Sequence, residues 1–210
     1  MIDLQKPSPT QNYYNTHAES LVSRYEQAEM STTHEKMAEF FIRGDRLLEC
    51  GAGSGRDAVF LLRIGMDVTS LDGSPEMVSE ALRLHPELAG RMEIRQVPEE
   101  LKKIVPGSFD GLFSIATIMH FDYAQIIDFL KQAYLILRSG GKLYYSICLA
   151  RSGLDQTGID NKGRYFFIRE QEWWVDRTTE AGFSLINTST NSDGLGRREV
   201  LWLTVQGFKP

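Results

Sequence analysis

Cysteine is scarce in this 210-residue chain, which has two, Cys50 and Cys148. Both fall inside apolar runs that read as strands. Buried reduced thiols are expected rather than a disulfide framework, and a cytoplasmic location with them. Long hydrophobic runs are missing as well. The longest, such as residues 143–150, fall well short of the ~18 residues of a spanning helix, so no membrane partner is expected. Residues 1–10 hold an acid, a lysine and two prolines without an apolar core, so no secretory signal is expected there. Basic charge is not in excess: 23 Lys and Arg against 28 Asp and Glu leave a net charge of −5. That fits poorly with tracking a nucleic-acid backbone, and no nucleic-acid partner is expected. The four histidines (His17, His34, His85, His120) have no ligand spacing, so no metal is expected. Repeats and low-complexity tracts are absent.

What is present is an ordinary globular composition, 42% hydrophobic and 24% charged, in a chain long enough to bury a core without staples. Helical spacing appears over residues 13–29, with Ala18, Leu21, Val22 and Tyr25, and again over 33–42, stopped by Gly44. Residues 1–44 thus read as an amino-terminal helical cap. Strands and helices then alternate through residues 45–150. The strands fall at 46–50, 66–71, 92–97, 109–116 and 142–149. The helices fall at 57–64, 74–84 and 123–137, with a short turn or helix at 99–104. Such alternation predicts a parallel sheet covered on both faces. Residues 151–210 differ. A polar, glycine-punctuated excursion (151–165) precedes a helix at 171–181 and two strands, 184–188 and 199–205. Their short link requires antiparallel pairing.

The strongest chemical signal is Glu49-Cys50-Gly51-Ala52-Gly53-Ser54-Gly55, where the first strand meets the first crossover helix. Glycines there permit a sharp turn, close approach of backbone to a ligand and exposure of helix-start N–H groups. Residues Gly53 to Ala58 also satisfy G-x-G-x-x-A, and Asp72 follows 19 positions after Gly53, so a nicotinamide cofactor stays open on spacing alone. Glu49 weighs against it, because a carboxylate at the strand end repels a pyrophosphate and favours a ligand with an ammonium and a sulfonium.

The Glu49–Gly55 run resembles the first motif of class I S-adenosylmethionine-dependent methyltransferases. Leu71-Asp72-Gly73-Ser74-Pro75-Glu76-Met77 resembles their second landmark. The runs from Ser108 to Phe113 and from Leu137 to Leu143 resemble the later ones, in order and spacing. The similarity is greatest to small bacterial enzymes of the methyltransferase type-11 or type-12 kind. It implies a single Rossmann-like, doubly wound α/β domain of seven strands, the last antiparallel, binding S-adenosyl-L-methionine. By the resemblance, Gly51, Ala52, Gly53 and Gly55 cradle the methionyl part, with Glu49 toward its amino end. Asp72 accepts from the ribose hydroxyls, which suits a carboxylate's two oxygens. Gly73, Ser74 and Met77 flank the adenine. The family's acid after the third strand is missing here, so Gln96, Val97, Pro98 and Glu99 are the candidates for the adenine amino group. Ile115 and Ala116 end the fourth strand beside the cofactor, and Tyr14 and Arg24 in the cap close over it.

On the acceptor side, the resemblance places Tyr13 in the cap and His120 after the fourth strand, the latter either as a general base or as a group that only walls and orients the acceptor. Arg151, Arg164 and Tyr165 occupy the long excursion, where loops of this length are commonly substrate loops; the two arginines suit an acidic acceptor and Tyr165 an apolar wall. The tryptophan pair at 173–174 reads as a helix anchor, Trp174 above all. The implied activity is metal-independent methyl transfer to a small-molecule acceptor. An NAD(P)-dependent oxidoreductase and a cofactor-binding protein without turnover remain as alternatives.

Overall fold

The computed structural model describes residues 7–210; the part of the amino-terminal reading that falls on residues 1–6 lies outside them. Helix α1 (Pro9–Thr16) begins with Pro9 after Ser8, whose Oγ accepts from Gln11 N at 3.1 Å. The expected single helix over 13–29 is two, α1 and α2 (Ala18–Glu26). At His17 both the backbone N–H and the ring Nδ1 turn to the Tyr13 carbonyl (3.1 and 2.9 Å), closing one helix before the next begins. Helix α3 (Ser31–Phe40) completes the cap.

The α/β part follows as β1 (Arg46–Cys50), α4 (Arg56–Arg63), β2 (Asp67–Asp72), α5 (Pro75–Leu84), β3 (Met92–Ile94), β4 (Phe109–Ile115), α6 (Tyr123–Ile136), β5 (Leu137–Ala150), α7 (Gln171–Glu180), β6 (Ser184–Ser192) and β7 (Leu201–Phe208). One seven-stranded sheet has the order β3-β2-β1-β4-β5-β7-β6. The first five strands pair parallel, and β7 runs antiparallel to both β5 and β6. This is the expected doubly wound sheet with an antiparallel last strand. Several boundaries differ from expectation, among them β5, which begins at Leu137, and β7, which runs to Phe208; β3 and β6 differ for clear reasons. β3 stops at Ile94, because Gln96 turns to donate to Gly73 O (3.0 Å) and Pro98 has no N–H for a ladder. β6 runs on to Ser192, because its Asn, Thr and Ser residues pair across, Asn191 opposite Trp202.

Alternation along β5 sends Tyr144 and Tyr145 to opposite faces. Tyr145 joins the core under α6 and α7, around Phe129, Phe183 and the fully buried Trp174. Tyr144 joins the core under α3 and α4, with Met37, Phe41 and Leu61. The cap adds a third cluster in which Leu21 and Val22 pack on Met77 of α5. Cys50 and Cys148 are both free and buried. No described helix is long and apolar enough to cross a membrane.

Successive strands leave β1 in opposite directions, so the order reverses between β1 and β4. The carboxyl ends of β1, β2, β4 and β5 share one edge of the sheet, and that switch point is where α/β sheets hold ligands. Because β7 is antiparallel, the β6–β7 loop lies at the same edge.

Candidate active site

The β1–α4 turn has left-handed backbone at Gly51 (φ +79°) and Gly53 (φ +56°). At Gly51 a Cβ would stand 2.2 Å from Thr117 Oγ1, whose hydroxyl donates to Gly51 O at 3.2 Å. The turn is therefore pressed against the end of β4, where only glycine fits. At Gly53 a Cβ would instead meet nothing closer than Met77 Cε (3.8 Å) and Tyr25 Cδ2 (3.9 Å), ordinary contacts with two side-chain ends. Gly53 leaves a cradle.

Asp72, at the end of β2, fixes this turn. One carboxylate oxygen accepts from Gly53 N and the other from Ser74 N, each at 2.8 Å. Burial raises its pKa, opposed by those two backbone bonds. Each oxygen keeps a second lone pair for a further donor. Ser74 Oγ accepts from Met77 N at 3.1 Å and caps α5. The cap is tied to the same turn through Arg56, which pairs with Asp57 and donates to Tyr25 O at 2.7 Å. His34 Nε2 adds a 2.8 Å bond to Asp57, whose carboxyl lies far below its ordinary pKa. Burial there is more than offset by Arg56 and His34.

After β4, His120 sits between the cap and the excursion. Its Nδ1 lies 2.6 Å from Tyr165 O and its Nε2 3.0 Å from Tyr14 Oη. A carbonyl only accepts, so Nδ1 carries the proton and the tyrosine hydroxyl donates to Nε2. Burial pushes the His120 pKa down to about 4, with Arg164 and Arg151 pressing the same way. The imidazole is therefore neutral at ordinary pH. Tyr14 is raised well above its ordinary value, chiefly by burial.

The excursion at 151–165 carries two isolated bridges, Leu154 with Asp160 and Ile159 with Tyr165. Asp160 organises it. One carboxylate oxygen accepts from Arg164 Nε (3.0 Å), Arg164 Nη2 (2.6 Å) and Arg151 Nη2 (3.1 Å). Opposite stands the β6–β7 loop, where Asp193 holds Arg197 through two bonds (2.9 and 2.6 Å) and accepts from Trp202 Nε1 at 2.9 Å. The sequence reading takes the segment between the last two strands only as a short link, and Asp193, Arg197 and Trp202 are not among its candidates. The signal available was an acid and an arginine four apart around glycines in a loop long enough to hold a site.

One cavity of about 1620 Å³ spans all of this. From the glycine turn and β2 it is lined by Gly51, Ala52, Gly53, Asp72, Gly73, Ser74 and Met77. Gln96, Val97 and Glu99 border it after β3, and Ile115, Ala116 and His120 at the end of β4. Tyr14 and Arg24 face it from the cap, and Arg151, Arg164 and Tyr165 from the excursion. Four expected residues are not on its wall, and each is a correction. Glu49 is 2% exposed, accepts from Ser70 Oγ of the neighbouring strand at 2.7 Å and does not line the cavity. Burial, then Asp57, raises its pKa well above the usual carboxylate range. Gly55 instead starts α4 against Leu88, whose Cδ1 a Cβ would meet at 2.4 Å. Pro98 is buried and does not line the cavity, though its neighbours Val97 and Glu99 do. Tyr13 is buried, stacked on His17 and covered by the Arg164 guanidinium at 4.8 Å. Among the described residues, no group of three or more His, Cys, Asp or Glu is arranged to hold a metal ion.

Residues 48–145 match a family described as methyltransferase domain. A ubiquinone biosynthesis O-methyltransferase from Xanthomonas euvesicatoria pv. vesicatoria (strain 85-10) is 34% identical over 107 residues, covering 50% of this chain and 44% of that protein. The chain spans about half the length of the curated relatives it matches. Among solved structures, a Haemonchus contortus phosphoethanolamine N-methyltransferase 2 in complex with phosphomonomethylethanolamine and S-adenosylhomocysteine superposes with TM-score 0.75 at 17% identity. That match covers 98% of this chain and 61% of that one. A Burkholderia thailandensis 1,6-didemethyltoxoflavin-N1-methyltransferase with bound 1,6-didemethyltoxoflavin and S-adenosylhomocysteine gives TM-score 0.70 at 18% identity, covering 99% and 93%. At these identities the superpositions show a shared fold.

Proposed function

We propose that this chain, a member of the class I S-adenosylmethionine-dependent methyltransferase family, binds S-adenosylmethionine at the β1, β2 and β4 ends and methylates a small-molecule acceptor. The observation that carries this reading is Asp72 beside the glycine cradle. Its carboxylate holds the turn by one bond per oxygen and keeps a free acceptor direction on each. A ligand with adjacent hydroxyls suits those directions, and its extended arm suits the space above Gly53 that a Cβ would fill. Gly51, Ala52 and Gly53 would then hold the methionyl part. Gly73, Met77, Gln96, Val97 and Glu99 would border the adenine. Once bound, the cofactor supplies a methyl group already activated on a sulfonium.

The cavity exceeds the roughly 300–1,000 Å³ of an ordinary single-ligand pocket, which supports room for two reactants. The chain's task is then mainly orientation, worth on the order of 7–11 kcal/mol in favourable models. His120 fits an orienting role. Its Nε2 lone pair already accepts from Tyr14, and its low pKa makes it a weak base. The pair ties the cap to the end of β4 and walls the acceptor side. A cytoplasmic location belongs to the same reading, supported by two buried thiols, neither in a disulfide.

Calorimetric titration tests this. S-adenosylhomocysteine is expected to bind in the micromolar range or better and NAD far more weakly. NAD binding without S-adenosylhomocysteine binding would overturn the reading in favour of an oxidoreductase.

A further inference from the structure

The acceptor half of the cavity, across the ends of β5, β7 and β6, holds three guanidiniums that face two carboxylates. Arg164 and Arg197 each close a two-point pair, with Asp160 and Asp193 respectively. Arg151 is left over. Its one bond, from Nη2, goes to the Asp160 oxygen that already serves Arg164 twice. Its Nε is buried and, among the described residues, has no partner. A guanidinium has five N–H donors, and leaving them unsatisfied in a buried place is costly. Burial lowers the pKa of Arg151, and the nearby charges of Arg164 and Arg197 lower it further.

The remaining polar groups on that wall do not restore the balance. His120 is neutral, and Trp202 Nε1 already donates to Asp193. The carboxylate of Glu29, which also borders the cavity, accepts from Ser31 N at 2.8 Å. The cations are also held rigidly. Arg151 lies 4.4 Å and Arg164 5.2 Å over the Phe166 ring. A stacked guanidinium is preorganised for a planar or tetrahedral anion and loses little side-chain freedom on binding it.

We propose that the acceptor is an organic anion whose carboxylate or phosphate docks on Arg151, reinforced by Arg164 and Arg197. The assignment rests on the reading of the other half of the cavity as the cofactor site. It adds the substrate class: a small acid, recognised by its charge at a point separate from the atom that receives the methyl group. Arg151 then acts as the specificity residue, since a neutral analogue leaves its donors unpaired.

The test is calorimetric titration of benzoate, phenyl phosphate and neutral benzamide into the protein, with and without saturating S-adenosylhomocysteine. The two anions are expected to bind and benzamide is not. The stronger of the two identifies the anionic group. Arg151→Gln should weaken anion binding about tenfold or more, as expected for loss of a charge-assisted contact, with S-adenosylhomocysteine affinity unchanged. Arg151→Lys, which keeps the charge without the fork, should fall between. Arg197→Gln serves as the second variant should Arg151→Gln lower the melting temperature, and it too should weaken the anions. No anion binding into the tens of millimolar, equal binding of benzamide, or unaltered anion affinity in folded variants overturns the proposal. Loss of S-adenosylhomocysteine binding with anion binding retained would instead overturn the cofactor reading and leave the anion subsite standing.

Discussion

Replacing Asp72 by alanine removes both the acceptor that pins the glycine turn and the proposed partner of the ribose. Two backbone donors, Gly53 N and Ser74 N, lose bonds of 2.8 Å each to a carboxylate. Hydrogen bonds to charged groups contribute about 1.5–3 kcal/mol each, but burial of the charge, which raises the Asp72 pKa, offsets part of that. A net loss of about 1–3 kcal/mol of unfolding free energy is expected, so the residue is structural as well as ligand-facing. S-adenosylhomocysteine affinity should fall further than stability, because turn geometry and ribose contacts go together. One charge-assisted bond lost there corresponds to about tenfold or more in Kd. Asp72→Asn separates the effects: its carbonyl oxygen serves one backbone amide and its NH₂ meets the other donor. It should recover part of the stability and little of the affinity. Urea unfolding and calorimetric titration on the same preparations measure both. An Asp72→Ala protein that unfolds and binds like the parent would refute the assignment of the turn and of the ribose site together.

His120 predicts a pH effect with a definite sign. Its folded pKa, about 4, lies below the ordinary 6.5, so between those values the unfolded chain binds a proton that the folded chain does not. Stability is full above pH 6.5 and falls as pH drops toward 4, by up to roughly 3 kcal/mol. His120→Gln should flatten that part of the urea-unfolding profile, and parallel profiles would count against a buried neutral imidazole. Gly51→Ala combines a left-handed backbone with a Cβ 2.2 Å from Thr117 Oγ1, and should cost about 2–4 kcal/mol. Gly44→Ala, also at positive φ but with nothing within 4 Å, should cost only about 1–2 kcal/mol. Equal losses at the two positions would mean that Thr117 yields freely.

The architecture was legible because it rests on local rules. Strand and helix periods, the cap at Ser74 and the glycine turn are written in residues close in sequence. A short link between the last strands dictates their antiparallel sense whatever lies around them. Asp72 could be set beside the glycine turn from strand order, since β1 and β2 are parallel neighbours, but not its bonds to Gly53 N and Ser74 N. Side-chain direction was another matter. Glu49 carries the right motif position, yet the pairing of β1 with β2 sets it opposite Ser70, whose hydroxyl takes its carboxylate, and that register belongs to the folded sheet. The adjacent tyrosines divided likewise, Tyr13 into packing and Tyr14 onto His120. The acceptor half was least legible, because its charges come from residues far apart in the chain. Arg151 and Asp160 belong to one loop and Arg197 to another. Whether a guanidinium is satisfied or left over depends on which carboxylates share its space. Burial and pairing are properties of the assembled cavity, and only the tertiary structure decided them.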